Sequence, residues 1–140
     1  MNTTLTYSMK MTIAPSRKEM GIAAGRCGEE LLVSLLAAKE TVRVIMGSAP
    51  SQDDVLGYLK ASKKIDWSRI EVFHMDEYIG ISADDKAAFS NYLDRTLFNT
   101  LKVKAFHKIL AETKDPQAVC DEYSKLLLAE PIDVVFLGIG

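Results

Sequence analysis

The hydrophobic pattern of this 140-residue chain changes period repeatedly, from strand-like to helix-like and back. Short apolar or β-branched runs, such as TVRVIMG and RIEVFHMDE, alternate with segments whose apolar residues recur every three or four positions. A strand, a crossover helix and a parallel strand form the right-handed unit from which doubly wound sheets are built. The alternation predicts an α/β fold of Rossmann-like type, a doubly wound, mainly parallel sheet with helices on both faces.

The order of the elements follows from the same pattern. An edge strand is predicted over Met9–Ile13, since the alternation stops at Pro15. A long helix is predicted from the N-cap Ser16, with Glu19 three residues later, to Ala38. Its predicted inward-facing residues are Met20, Ala24, Cys27, Leu31, Leu35 and Ala38. Further helices are predicted from about residue 50, over about 86–101 and from residue 115, with a short strand at FHKIL.

The last segment, IDVVFLGIG, is a nearly continuous apolar run. Such a run is typical of a parallel strand buried on both faces, and a strand of this kind needs a helix after it. We therefore expect residues 1–140 to be a single α/β domain, incomplete at its C-terminus and truncated after a central strand. GIG could also open a dinucleotide-binding loop, but the rest of that motif does not follow.

Composition narrows the classes of partner. The net charge is −2 without a basic stripe, which argues against nucleic acid. No apolar run is long enough to span a bilayer, and the N-terminus lacks the order of a secretory signal, so we expect a cytoplasmic protein without a membrane partner. Cys27 and Cys120 lack metal-ligand spacing and are expected to be buried thiols. We expect no metal and no cofactor.

The turn MGSAPS lies between a predicted strand and a helix N-terminus, where unpaired N–H groups and the helix dipole favour an anion. It could hold a phosphate through Gly47, Ser48 and Ala49. The alternative is a routine strand-to-helix turn with a Ser51/Asp54 capping box, in which the acidic residues disfavour a second anion. The local sequence leaves both interpretations open.

A second candidate is VFHMDEYIG, which places Asp76 and Glu77 at the end of a predicted buried strand. Alternation puts the two side chains on opposite sides, so they do not form a simple pair. A carboxylate that leaves a buried strand at a cleft is partly desolvated, which raises its pKa and suits it to remove a proton beside a carbonyl. The alternative is that Asp76 caps the next turn and Glu77 reaches solvent. His74 is expected to be a hydrogen-bonded core residue, and His107 has no spaced partner.

The segments VFHMDEYIGI, AAFSNYLDRTLF, AVCDEYSKLL and IDVVFLGIG, in this order, resemble the glucosamine-6-phosphate deaminase/isomerase family. The resemblance runs from about Val42 to Gly140, the N-terminal part of such a protein. Asp-Glu-Tyr favours this branch over the related 6-phosphogluconolactonases, where Asp-Glu-Arg is usual.

The resemblance implies that Asp76 moves a proton between the nitrogen-bearing carbon and the anomeric carbon of an opened amino-sugar phosphate. An enolamine would form, ammonia would leave, and a ketose phosphate would remain. It also implies that residues 1–140 form a sugar-phosphate-binding domain, in which Gly47 and Ser48 bind phosphate and Glu77 and Tyr78 shape the site. Homo-oligomers are common in the family, so the protein is expected to form them as well.

Two departures from the family pattern affect the prediction. Met46 and Ala49 stand where the family usually has threonines, so two hydroxyl donors to the phosphate are absent. The family's Asp-Gly-His segment and later basic residues are not in the 140 residues, which are therefore expected to be inactive alone. The alternatives are a lactone hydrolase of the same superfamily and a non-catalytic sugar-phosphate sensor. A sensor would normally carry a helix-turn-helix ahead of this unit, and too few residues precede Ser16.

Overall fold

The computed structural model describes residues 9–138. Outside this range lie the first eight residues, where the sequence was searched for a secretory signal, and the end of the last predicted strand, Ile139 and Gly140. Its strands are β1 (Val42–Met46), β2 (Ile70–His74), β3 (Ala105–His107) and β4 (Val134–Phe136). All pairings are parallel, and the strand order is β3–β2–β1–β4. The predicted parallel α/β sheet is confirmed.

Helices connect and cover these strands. They are α1 (Arg17–Ala38), α2 (Asp53–Ala61), α3 (Phe89–Leu93) and α4 (Pro116–Leu128). A 3₁₀ turn (Pro50–Gln52) leads into α2, and α3 continues as a π-helical turn over Asp94–Phe98. Within residues 9–138, no helix has both the length and the hydrophobicity that crossing a bilayer requires.

Helix α1 begins where the sequence predicts. The Ser16 hydroxyl accepts a hydrogen bond from the Glu19 N–H at 3.2 Å and donates one to the Glu19 carboxylate at 2.9 Å. These bonds satisfy a helix-terminal donor that would otherwise lack a partner. The N-cap assignment at Ser16 is confirmed.

The predicted buried face of α1 is wrong. The buried stripe is Gly21, Gly25, Gly28, Leu32 and Leu36, each one residue after a predicted position, while Met20 and Leu31 are exposed. A Cβ atom on Gly21 would lie 2.2 Å from the Asp54 Cβ, so only glycine permits this approach to α2. A stripe read from the size of apolar side chains misses this face because its first three positions are glycines.

The two faces of the sheet have different coverings. Val42, Val44 and Met46 are fully buried in the core that α1 and α2 cover. Phe73 follows Val72 and therefore points to the opposite face, where Tyr123 of α4 meets it edge-on at 5.9 Å between ring centroids. Helices on both faces are thus confirmed.

Other local predictions were wrong. Residues Met9–Ile13 form no strand and are largely exposed, because no neighbouring strand pairs with them among the described residues. Strand β4 has three residues and lies at the edge of the described sheet, so Val135 is 50% exposed and not buried on both faces. Cys27 and Cys120 are both exposed thiols.

Candidate functional site

The sheet register brings the two predicted site segments to one edge. Met46, the last residue of β1, pairs with His74 of β2 on one side and with Phe136 of β4 on the other. The residues that follow these three therefore leave the sheet side by side at its carboxyl edge. This places Gly47–Ala49 next to the turn that contains Asp76, at the edge where open α/β sheets bind ligands.

Gly47 is needed for a close backbone approach. Its N–H donates to the Phe136 carbonyl at 3.0 Å, and a Cβ on Gly47 would lie 3.2 Å from that oxygen. The N–H that the sequence prediction offered to a phosphate therefore pairs with β4. Gly47 shapes the loop more than it donates to a ligand.

Ser48 carries a polar side-chain atom that has no hydrogen-bond partner among residues 9–138. Its hydroxyl oxygen is buried and makes no hydrogen bond within the structure. Buried polar atoms without a partner are uncommon in folded proteins, and they point to a strained group or an absent ligand. Ala49, next in sequence, uses its carbonyl to accept from the Gln52 N–H at 2.8 Å, and the same oxygen lies 3.0 Å from the Tyr92 hydroxyl oxygen.

Gln52 is a further residue of this edge that the sequence prediction missed. Its side chain is 5% exposed, and its amide lies close to both Gly47 and Gly138. A Cβ on Gly138 would lie 2.9 Å from the Gln52 Nε2 atom. A buried amide thus lies between the backbone segments that follow β1 and β4 at the carboxyl edge of the sheet.

The acidic residues beside the loop are held by partners. Arg17 of α1 donates from Nε to the Asp54 carboxylate at 2.9 Å and from Nη2 to the Pro50 carbonyl at 2.5 Å. The Tyr92 hydroxyl contacts the Asp53 carboxylate. The alternative capping box is not formed, because Asp54 pairs with Arg17 and no side chain caps α2.

Glu77 caps helix α3. Its carboxylate accepts hydrogen bonds from the N–H groups of Phe89 at 2.9 Å, Ser90 at 3.0 Å and Tyr78 at 3.2 Å. Burial alone would raise the pKa of Glu77, but these three N–H donors outweigh it and hold the pKa below its ordinary value. In the alternative interpretation, Asp76 would cap the next turn and Glu77 would reach solvent. The structure shows the reverse, since Glu77 is the capping residue and Asp76 is exposed.

The exposure of Asp76 corrects the expectation that burial would partly desolvate it. Strand β2 ends at His74, so Asp76 lies two residues beyond the core. The turn that follows has a fixed shape: Gly80 has φ of 78°, which favours glycine, and its N–H donates to the Ala111 carbonyl at 2.9 Å. The Tyr78 ring stacks on Phe89 of α3 with centroids 4.7 Å apart.

His74 is a core residue, as predicted. It is 1% exposed, and its Nε2 atom accepts from the Ile109 N–H at 2.8 Å, so the neutral ring carries its proton on Nδ1. Burial lowers the pKa of His74, although neighbouring Glu77 and Asp76 oppose this effect. The Tyr123 hydroxyl accepts from the His74 N–H and donates to the His74 carbonyl, which fixes the end of β2.

His107 lies elsewhere, 3.8 Å from the Glu71 carboxylate on the face that α4 covers. Within residues 9–138, no group of three or more histidine, cysteine, aspartate or glutamate side chains could hold a metal ion. The expectation that the protein uses no metal stays a prediction.

Comparison with known proteins identifies the family. The family model described as glucosamine-6-phosphate isomerases/6-phosphogluconolactonase matches residues 15–140. A glucosamine-6-phosphate deaminase of Lactobacillus delbrueckii subsp. bulgaricus is 26% identical over 132 residues, which are 94% of this chain and 54% of the relative. One of Bacillus cereus is 26% identical over 113 residues, which are 81% of this chain and 43% of the relative. The chain spans about half the length of these relatives.

Solved structures share the fold. A monomeric glucosamine-6-phosphate deaminase has a TM-score of 0.82 at 20% identity, over 94% of this chain and 56% of its own. A 6-phosphogluconolactonase from Shewanella baltica has a TM-score of 0.74 at 19% identity, over 89% of this chain and 54% of its own. Since the family model covers most of the sequence, the chain belongs to the glucosamine-6-phosphate isomerase/6-phosphogluconolactonase family.

Proposed function

We propose that this chain carries the proton-transferring carboxylate and the phosphate loop of an amino-sugar-phosphate isomerase/deaminase. The observation that carries the proposal is the register at Met46, which sets the loop Gly47–Ala49 beside the exposed Asp76 at the carboxyl edge of the sheet. The curated relatives named glucosamine-6-phosphate deaminase support the choice of reaction. The proposed substrate is glucosamine 6-phosphate, and the products are fructose 6-phosphate and ammonia.

In this mechanism Asp76 acts as a general base on the opened sugar. Its carboxylate removes the proton from C2, an enolamine forms between C1 and C2, and the protonated carboxyl returns the proton to C1. The nitrogen on C2 is then an iminium group, to which water adds, and ammonia leaves as the C2 carbonyl forms. The exposure of Asp76 gives a substrate direct access to the base.

The phosphate is proposed to lie against the loop after β1. The buried, unpaired Ser48 hydroxyl supplies a donor, and the N–H groups of Ser48 and Ala49 are the proposed backbone contacts. Gly47 contributes by allowing the close approach to β4. Glu77 and Tyr78 act indirectly, because one caps α3 and the other stacks on its first residue.

Hydrolysis of a sugar-phosphate lactone is the second candidate, because a lactonase from Shewanella baltica shares the fold over 89% of this chain. One assay separates the two functions. The complete gene product is incubated with glucosamine 6-phosphate and, separately, with 6-phosphogluconolactone, while ammonia, fructose 6-phosphate and lactone loss are measured. Ammonia and fructose 6-phosphate in equal amounts would support the deaminase, whereas lactone loss alone would contradict it. A cytoplasmic location and a homo-oligomeric state stay predictions from the sequence and the resemblance.

A further inference from the structure

The proposed phosphate loop has an electrostatic difficulty in its own sequence. Asp53 and Asp54 form the first turn of α2, directly after the 3₁₀ turn that follows Ala49. Two carboxylates this close to a phosphate would repel it, and the repulsion would oppose binding through the loop. Any anion site at Gly47–Ala49 therefore depends on how these carboxylates are held.

The structure gives each carboxylate a separate partner from a different helix. Asp54 forms an ion pair with Arg17 of α1, whose guanidinium also donates to the Pro50 carbonyl. Asp53 has no cation as a partner in the described structure, and its carboxylate contacts the Tyr92 hydroxyl of α3. The same hydroxyl lies 3.0 Å from the Ala49 carbonyl. The Tyr92 side chain therefore contacts both the loop and the Asp53 carboxylate, which has no cationic partner among the described residues.

Tyr92 is well placed to remain a hydrogen-bond donor. Its ring is half-buried, and the Arg95 guanidinium lies over it at 5.2 Å from the centroid. Burial and the hydrogen bond to Asp53 raise the pKa of Tyr92 above its ordinary value, so the hydroxyl keeps its proton across the working range. A hydroxyl has one proton to donate, and a carboxylate is a stronger acceptor than a carbonyl, so the bond to Asp53 is favoured.

We propose that Tyr92 is a positioning residue for anion binding that acts through Asp53: its hydroxyl donates to the Asp53 carboxylate and offsets part of its charge, so that the loop Gly47–Ala49 can accept the phosphate of the substrate. Without the hydroxyl, this donor no longer offsets the Asp53 charge, which then repels the bound anion more strongly and weakens binding. Glu77, which lies just after β2, caps helix α3, and Tyr92 belongs to the same helix. Helix α3 thereby connects the segment of the proposed base to the proposed phosphate loop. The inference rests on the proposed function, because it concerns the same site.

The test uses a double-mutant cycle in the complete gene product with Tyr92→Phe, Asp53→Asn and the two combined. Glucosamine 6-phosphate and inorganic phosphate are the probes, measured by calorimetry and by KM and kcat. Tyr92→Phe should lower the binding affinity for both probes about three- to fivefold. It should raise KM and leave kcat within about twofold of the wild-type value. Because the cause is charge, the loss should shrink at high ionic strength.

Asp53→Asn supplies the rescue. It should bind both probes at least as tightly as the wild type, and adding Tyr92→Phe to it should change the affinity by less than about twofold. Glu40→Gln is the matched control for net charge, because Glu40 is exposed and precedes β1 at the opposite end of the sheet. It should leave both affinities unchanged.

The outcomes separate the two proposals. If the wild type binds neither probe, the proposed function itself fails. If the wild type binds and Tyr92→Phe binds equally well, only the role of Tyr92 is overturned. It is also overturned if Asp53→Asn fails to rescue Tyr92→Phe, since the hydroxyl would then act through the Ala49 carbonyl. Thermal unfolding checks that each variant folds, and Asp53→Asn alone tests the charge effect if Tyr92→Phe is unstable.

Discussion

The loop after β1 and the turn after β2 leave the sheet side by side, yet they are held in opposite ways. After β1, the backbone pairs with β4 and the Ser48 hydroxyl remains without a partner. After β2, the Glu77 side chain accepts three N–H groups, and Asp76 is left exposed beside it. Adjacent residues at one edge thus divide into those that build the site and those free to meet a ligand.

The difference shows how to read an acidic pair at the end of a strand. Two neighbouring carboxylates can look equivalent in sequence, but the hydrogen-bond donors around each decide its role. Three donors favour the charged form of Glu77 and occupy its oxygens, so it is a poor base. Of the two carboxylates, the comparison favours Asp76 for the proposed proton transfer.

The largest effect is expected for Asp76→Asn, which removes the exposed carboxylate in the turn after β2. Removing a general base should lower kcat about 10²- to 10⁴-fold, because the amide cannot accept the C2 proton. Substrate affinity should change little, since the proposed phosphate loop is intact. The measurement is ammonia release by the complete gene product together with calorimetric binding of glucosamine 6-phosphate.

Asp84→Asn is the matched control for that experiment, because Asp84 is an exposed carboxylate in the segment between the acidic turn and α3. It should retain full activity. Turnover by Asp76→Asn at the wild-type rate would contradict the role of Asp76 as base. A sugar-phosphate sensor would show binding by both proteins and turnover by neither.

The next effect concerns Glu77→Gln and the stability of the fold. Loss of the charge at the N-terminus of α3 and of a hydrogen-bond acceptor should lower the free energy of unfolding by about 1 kcal/mol at pH 7. Because folding lowers the pKa of Glu77, this contribution is complete above the unfolded pKa of about 4.3 and is lost as the pH falls through the folded pKa. Urea unfolding of both proteins between pH 7 and pH 3 measures the difference.

The difference between wild type and Glu77→Gln should therefore shrink on acidification. Glu40→Gln, at an exposed position with no such capping role, should be neutral throughout. A stability difference for Glu77→Gln that stays constant from pH 7 to pH 3 would show that the carboxylate charge does not stabilise α3.

The smallest effect is expected for Ser48→Ala, in the loop after β1. Because the Ser48 hydroxyl has no partner in the structure, its removal should not lower the melting temperature. It should weaken the binding of inorganic phosphate about fivefold, the equivalent of one hydrogen bond. The affinity is measured by calorimetry, with the exposed Ser34→Ala as the control. A lower melting temperature with unchanged phosphate affinity would make Ser48 a structural residue.

The sequence predicted the fold well because periodicity reports which residues face a core. Alternating strand and helix periods sufficed for the parallel sheet, and the Ser16–Glu19 box sufficed for the start of α1. The predicted face of α1 is displaced by one residue from the observed one, because Gly21, Gly25 and Gly28 leave no hydrophobic signal over the first part of the helix. Packing against small residues depends on the partner helix, which no local window contains.

The site was predicted in part. Strand ends located Asp76 and the loop Gly47–Ala49, and the register puts them at one edge. The capping role of Glu77 was missed because its partners are 12 and 13 residues away. The contact between Tyr92 and Asp53 joins residues 39 apart. Such contacts arise from the fold, and local spacing contains no trace of them.

The most direct test of the central claim follows deuterium placed on C2 of glucosamine 6-phosphate. The complete gene product and its Asp76→Asn variant are incubated with this substrate, and the loss of deuterium from C2 is followed by NMR alongside ammonia release. We predict that the wild type removes deuterium from C2 as ammonia appears, while Asp76→Asn binds the substrate and retains the label. Loss of the label at equal rates in both proteins would show that Asp76 is not the base.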